Sequence, residues 1–285
     1  LYAPSTPVEF PFKACVGALQ WLSTIARPDI SHATNQLARA SSRPCTKAMA
    51  NCARRVMRYL IGSKDIGIEY SPQREKQFFE LYSGLASHAD NAGKVDPRTV
   101  TSPVTTFSDA SFGVTYQTLR SISGIVVYLH GTPIAWKTKV QSVFAASTTE
   151  SEWIALSDCL ELSNSVHDLV EFLQGHVVDR GPLFCDNRGA ILSGRKAADG
   201  VAEIPKKTRH VALRFAKVLP EHKRLWFCPT DIMKADALTK SGNYEALRNV
   251  YHCGPHPPRW IEEADADDEI DHVPAYIALI TKNGP

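Results

Sequence analysis

Val104-Thr105-Thr106-Phe107-Ser108-Asp109-Ala110-Ser111-Phe112 is the stretch on which the fold turns. β-branched and aromatic residues run up to a carboxylate, and Gly113 follows as a turn signal, so the spacing predicts a strand over 104–112. Two further strands are predicted over 123–129 and 133–138, with His130-Gly131 as the turn between them. Hairpin connections of this kind imply an antiparallel order. The period then changes. A helix is predicted over 148–173, with Ser147 or Thr148 as its cap and Glu150 near its first turn. A strand at 183–186, a helix over 187–194, a helix over 208–218, a strand at 224–229 and a helix from about 233 complete the pattern. Three strands followed by alternating helix and strand make an α/β domain: a mixed five-stranded sheet with helices on both faces.

Four acidic residues fall at informative places in this pattern. Asp109 closes the first strand, and Glu152 lies in Ser147-Thr148-Thr149-Glu150-Ser151-Glu152-Trp153 at the start of the long helix. Asp186 ends Pro182-Leu183-Phe184-Cys185-Asp186-Asn187, and Asp236 lies in Lys234-Ala235-Asp236-Ala237-Leu238-Thr239-Lys240. Strand ends and helix starts can deliver distant carboxylates to one point. Converging carboxylates repel and are costly to hold together unless cations sit between them. Hard oxygen ligands suit Mg²⁺ or Mn²⁺, and a pair of such ions serves in-line cleavage of phosphodiesters. A single Asp at a strand end is more often a turn residue than a ligand; the four together in order carry the argument. Glu150 competes with Glu152, since one of them can simply favour the helix N-terminus.

These frames, with Arg120-Ser121-Ile122-Ser123-Gly124, Gly131-Thr132-Pro133-Ile134-Ala135-Trp136-Lys137 and Lys207-Thr208-Arg209-His210, resemble the ribonuclease H domain of copia-type retrotransposon Pol polyproteins over roughly residues 104–243. Leu19-Gln20-Trp21-Leu22, Arg27-Pro28-Asp29-Ile30 and Arg58-Tyr59-Leu60-Ile61-Gly62 resemble the thumb- or connection-like segment that precedes that domain in the same polyproteins. The resemblance implies a ribonuclease H-like sheet preceded by a small, mainly helical region. It also implies two Mg²⁺ or Mn²⁺ ions, with Asp109 bridging both, Glu152 and Asp186 on one and Asp236 on the other. The implied substrate is the RNA strand of an RNA–DNA hybrid, whose exposed 2′-hydroxyls distinguish it from DNA. Ser111 and Asn187 would contact that strand, while Lys206, Lys207, Arg209 and His210 would grip phosphates. The implied partners are the polymerase and integrase parts of the same polyprotein, in an intracellular setting: a cytoplasmic particle, the nucleus or both. Two alternatives stay open: a non-catalytic connection or hybrid-binding module, and another nuclease of the same fold, such as an integrase-like enzyme. A polymerase Asp-Asp hairpin is absent, because Asp267-Asp268 stands in an acidic tail without flanking strand sequence. Many ribonucleases H outside this family have a His before the last acid; here 228–235 has none, leaving Asp231 or Lys234 as substitutes and His210 as the nearest earlier candidate.

A chain of 285 residues accommodates two cores, and 44% hydrophobic with 22% charged residues is ordinary for a globular protein. The net charge of +2 hides local runs. Seven bases and one acid lie between Lys206 and Arg224, and seven acids with no base between Glu262 and Asp271. That basic run is equally readable as a solvated helix face, and Arg39, Arg43, Lys47, Arg54, Arg55 and Arg58 as a second hybrid-binding face or a plain surface. Seven scattered cysteines argue against a disulfide framework and for a reducing compartment. The longest late apolar stretch, 273–280, is too short to cross a bilayer, so no membrane partner is expected. His252-Cys253-Gly254-Pro255-His256 has no second ligand pair at zinc spacing and is expected to be a loop. The opening Leu1-Tyr2-Ala3-Pro4 points to a piece of a longer polypeptide. Helices are predicted over 13–24, from Pro28 to about Ala40, and from Pro44 and Thr46, which open it, to near Gly62; a strand is predicted over 66–70. The expected organisation is a thumb- or connection-like helical region over 1–75, a linker over 76–103 with a short strand at 78–82, the sheet domain over 104–243, and a loosely ordered extension over 244–285.

Overall fold

The computed structural model describes residues 7–115, 118–200, 209–240 and 251. It forms two compact units, Glu69–Thr239, and Leu1–Ile68 with Lys240–Pro285. The larger is the predicted α/β unit. Its sheet has the order β3-β2-β1-β4-β5, with β1 Val104–Ser111, β2 Ile122–Leu129, β3 Thr132–Val140, β4 Leu183–Cys185 and β5 Leu225–Phe227. β1 pairs antiparallel with β2 and parallel with β4, and β4 pairs parallel with β5. β1 is therefore central and buried along most of its length.

Alternation along the strands sends successive side chains to opposite faces. On one face Ile125, Leu183, Cys185, Leu225 and Phe227 pack against Trp153, Leu156, Leu160, Ile191 and Phe215. These last five come from α5 (Thr148–Gln174), α6 (Arg188–Ala198) and α7 (Arg209–Val218). α5 starts where Ser147 Oγ accepts the Glu150 N–H at 3.1 Å, and it ends at Gly175 with φ +72°. On the other face Phe107, Val126, Tyr128, Phe184 and Trp226 meet Phe78 and Tyr82.

Phe78 and Tyr82 overturn the expectation of a short strand in a linker over 76–103. They lie on α4 (Pro72–Ser83), with Ser71 as side-chain cap and Pro72 in its first turn. Four residues apart, they share a helical face. The ring centroids of Phe78 and Tyr128 lie 5.1 Å apart, and those of Tyr82 and Phe107 4.9 Å. Such pairs add roughly 0.5–1.5 kcal/mol each beyond their area burial. Apolar Phe79 and Leu81 between the two rings hide the period in the sequence. Further along, Asn91 is fully buried at the sheet edge. Its side chain accepts the Phe227 N–H at 2.8 Å and donates to the Phe227 carbonyl at 2.9 Å. It thus serves the open edge of β5 as another strand would.

The smaller unit is mainly helical, as the sequence suggests: α1 (Phe12–Ile25), α2 (Ser31–Ala40) and α3 (Lys47–Gly62) enclose Val16, Leu19, Leu37, Met49, Ala53 and Val56. Asp29 is its buried polar centre. It takes Arg27 Nη2 at 2.6 Å, the Tyr59 hydroxyl at 2.6 Å and the Tyr251 hydroxyl at 2.8 Å. Tyr251, expected in a loose extension, is buried in helical backbone; the rest of 244–285, the segment 252–256 and Asp267-Asp268 lie outside the described residues. The alternating stretch 66–70 forms no strand. Alternation alone does not make a ladder, and no partner strand pairs with it there. Among the described residues no helix is long and apolar enough to cross a membrane, and the six cysteines present are free.

Candidate metal centre

The register of β1 builds the site. Ser108 pairs with Cys185 on parallel β4, so Asp109 and Asp186, one residue further along each strand, emerge side by side. On the other flank Asp109 pairs with Gly124 of β2. Gly124 has no side chain, and a 3₁₀ turn, Lys234–Leu238, lies directly on it: a Cβ there would sit 2.8 Å from Leu238 Cβ and 2.9 Å from the Ala235 carbonyl. That close approach sets Asp236 beside Asp109. Thr138 Oγ1 anchors the same turn by donating to the Leu238 carbonyl at 2.9 Å. Gln141 fixes the start of α5 by donating to Ser123 Oγ at 2.9 Å and to the Ser151 carbonyl at 2.8 Å. Glu152 is the next residue.

The result is two overlapping groups of ligand atoms. Oxygens of Asp109, Asp186 and Asp236 lie within 4.8 Å of one another, as do ligand atoms of Glu152, Cys185 and Asp186. Asp186 belongs to both. Asp109, Glu152 and Asp236 are 3–4% exposed, whereas Asp186 is half-buried and opens the group to solvent. Burial, then the neighbouring Asp109 and Asp186 charges, hold the Glu152 carboxyl well above the usual range. The Ala110 backbone N–H and the Cys185 thiol, whose Sγ lies 3.6 Å from Glu152 Oε2, oppose that shift. Thr230 donates to Asp186 at 3.0 Å, and Thr239 donates to Asp109.

Glu150 and Glu152 separate cleanly. Glu150 accepts the Ala146 N–H at 2.7 Å and serves the helix start, while Glu152 faces the other acids. Asp236 was expected on a late helix from about 233; two short 3₁₀ turns, Thr230–Ile232 and Lys234–Leu238, stand there instead. Extended Met233 interrupts them, and the second turn is wholly buried, so tertiary contacts rather than helix propensity set its shape. Of the suggested substitutes for a loop histidine, Asp231 is exposed, and Lys234 is buried with its ammonium 5.9 Å from the Tyr82 ring centre. Ser111 ends β1, half-buried. Asn187 caps α6, its Oδ1 taking the Ala190 N–H at 2.9 Å. Lys206 and Lys207 lie outside the described residues, and of Arg209 and His210 only the helical backbone opening α7 is described. Part of the basic run serves the fold. Arg214 pairs with Asp158 at 2.9 Å, Lys217 pairs with Glu161, and buried Arg224 donates to the Gly181 carbonyl at 2.8 Å. Trp153 is core, and Trp136 packs at the core's rim. Cys185, Thr230 and Thr239 were not singled out in the sequence. Cys185 and Thr239 stand within the quoted acidic frames, so adjacency was their only signal.

No protein-family model matches the chain. It is 28% identical over 247 residues, 85% of its length, to the Retrovirus-related Pol polyprotein from transposon RE2 of Arabidopsis thaliana. It is 26% identical over the same share to that from transposon RE1 of the same plant. It is also 28% identical, over 53% of its length and 87% of the relative's, to Secreted RxLR effector protein 161 of Plasmopara viticola. The chain spans 15% and 14% of the two polyproteins. The likeness to copia-type Pol polyproteins read from the motifs therefore extends over most of the chain.

Proposed function

We propose that the unit Glu69–Thr239 is a metal-dependent nuclease that hydrolyses the RNA strand of RNA–DNA hybrids as part of a retrotransposon polyprotein. The observation that carries this reading is the convergence of Asp109, Asp186 and Asp236 oxygens within 4.8 Å, with Glu152 buried alongside. Buried carboxylates so close do not favour the folded state by themselves. The donor set fits the hard divalent ions: all four acids offer oxygen, and the Asp109, Asp186 and Asp236 oxygens are gathered closely enough to face one cation.

Asp186, where the resemblance implies Asp109, is common to both ligand groups: Asp109, Asp186 and Asp236 would hold one Mg²⁺ or Mn²⁺ ion, and Glu152 with Asp186 a second. When bound, such ions supply an activated water and stabilise charge on the leaving 3′ oxygen. The chain's own contribution is placement. Gly124 and Thr138 seat the turn bearing Asp236, Gln141 seats the helix bearing Glu152, and the β1–β4 ladder aligns Asp109 with Asp186. Half-buried Asp186 marks the side from which a phosphodiester would approach. Asn187 adjoins Asp186 and Ser111 lies two residues beyond Asp109 along the chain; both are assigned to the RNA strand. Lys206, Lys207, Arg209 and His210 are assigned to phosphates. The polymerase and integrase parts of the polyprotein are the proposed partners, in a cytoplasmic particle or the nucleus.

The test is cleavage of a labelled RNA–DNA hybrid by the full chain with Mg²⁺ or Mn²⁺, with Asp186→Asn as control. RNA-strand cutting that the variant loses by at least a hundredfold supports the reading. Tight hybrid binding without cutting points to a non-catalytic module, and equal cutting of duplex DNA to another nuclease of this fold.

A further inference from the structure

Thr239 closes the acidic motif Lys234-Ala235-Asp236-Ala237-Leu238-Thr239, and the proposed chemistry gives it no task. It is 2% exposed. Its backbone N–H donates to the Asp236 carbonyl at 3.2 Å, ending the 3₁₀ turn. Its Cγ2 lies over Gly124, 2.7 Å from where a Cβ would stand, and Gly124 is the cross-strand partner of Asp109. The hydroxyl has one proton and two acceptors in reach. The Asp236 carbonyl lies at 3.4 Å, while Asp109 Oδ2 is much nearer. A hydroxyl that merely capped its turn would choose the carbonyl. This one crosses to a carboxylate 130 residues away in the chain.

We propose that Thr239 is a positioning residue for the metal centre: its hydroxyl fixes the rotamer of Asp109 and ties it to the turn that carries Asp236. The inference rests on the metal-dependent reading above. A hydrogen bond to an ionised carboxylate is worth more than one to a carbonyl, and only the carboxylate bond orients a ligand. Removing partners that orient metal ligands commonly weakens metal binding about 10–100-fold.

The experiment uses the full chain and reads Mn²⁺ binding by calorimetry or electron spin resonance, beside hybrid cleavage as a function of Mn²⁺ concentration. Thr239→Val keeps the shape and removes the hydroxyl; Thr239→Ser keeps the hydroxyl. The expected result is Mn²⁺ affinity reduced about 10–100-fold in the Val variant and within threefold of the parent in the Ser variant. Cleavage by the Val variant then recovers at saturating Mn²⁺, a split that a mere loss of fold does not give. Unchanged affinity in a folded Val variant of a parent that binds Mn²⁺ and cleaves hybrid overturns the role of Thr239 alone. A Val variant that fails to fold while the Ser variant binds Mn²⁺ poorly also overturns it. A parent that binds no Mn²⁺ overturns both this inference and the metal-dependent reading.

Discussion

Gly124→Ala is the substitution that most directly tests how the sheet seats its acidic turn. The added methyl would meet Thr239 Cγ2 at 2.7 Å, Leu238 Cβ at 2.8 Å and the Ala235 carbonyl oxygen at 2.9 Å. Ordinary carbon contacts lie near 3.5–4.0 Å, so the turn must retreat by about half an ångström or more. Two of the three obstacles move only with the backbone, so no side-chain rotation relieves them. The retreat strains the Thr138 bond to the Leu238 carbonyl and the Thr239 bond to Asp109, and it carries Asp236 away from its neighbours. Overpacking of this kind destabilises by about 1–3 kcal/mol. The effect on the site is larger in proportion, because oxygens up to 4.8 Å apart already need to draw together to share an ion. The variant should lose about 1–3 kcal/mol in denaturant unfolding. It should also bind Mn²⁺ at least tenfold more weakly and cleave hybrid about a hundredfold more slowly, the order expected of an ångström-scale misplacement. An unchanged unfolding midpoint together with Mn²⁺ affinity within twofold of the parent would refute the reasoning: the turn would not be seated on Gly124.

Two further outcomes follow from the same geometry. The Glu152 carboxyl titrates well above its ordinary value near 4.5 in the folded, metal-free protein. Between those two points the folded state holds a proton that the unfolded state has released, so stability falls as pH rises. Glu152→Gln should therefore match the parent in melting temperature below about pH 4.5 and exceed it increasingly toward neutrality in EDTA, while saturating Mg²⁺ narrows the gap by favouring the ionised carboxylate. Parallel melting curves across pH would show that the acids do not strain the fold. Phe78→Ala removes a ring that touches Phe107, Tyr82 and Tyr128, and it should destabilise the sheet unit by about 3–5 kcal/mol; a change below about 0.5 kcal/mol in urea unfolding would return this segment to the status of a linker.

The strands and the long helix were legible because each obeys one period from end to end. Thr105, Phe107 and Asp109 alternate with Val104, Thr106 and Ser108, and Ser147 caps the helix as its residue type suggests. What escaped has a common cause: the information lies across the fold and not along the chain. Phe78 and Tyr82 are a helical pair only once apolar Leu81, between them, is known to be exposed. The stretch 66–70 alternates as well as β1 does, yet among the described residues no strand pairs with it. Asp236 was placed on a helix because Lys-Ala-Asp-Ala-Leu has helix propensity, whereas Gly124 and Thr138, more than ninety residues away, decide its conformation. The four acids were legible as candidates, since each ends or begins an element. Their donors Cys185, Thr230 and Thr239 were not, because a hydroxyl or thiol carries no spacing signature until its acceptor is in place.

Those neutral donors also bear on the proposed metal dependence. Thr239 serves Asp109, Thr230 serves Asp186, and the Ala110 N–H and Cys185 thiol serve Glu152. Each bond satisfies lone pairs, so the carboxylates are not starved of hydrogen bonds. None of them supplies charge, and Glu152 remains protonated beyond its usual range despite two such partners. Solvation of the oxygens is thus provided, while repulsion between them is not cancelled. A protein that merely needed a polar pocket would do better with amides at these positions, which accept the same bonds without the repulsion. Carboxylates at all four positions make physical sense where a dication completes the balance, and the binding free energy of that ion then adds to the stability of the folded sheet.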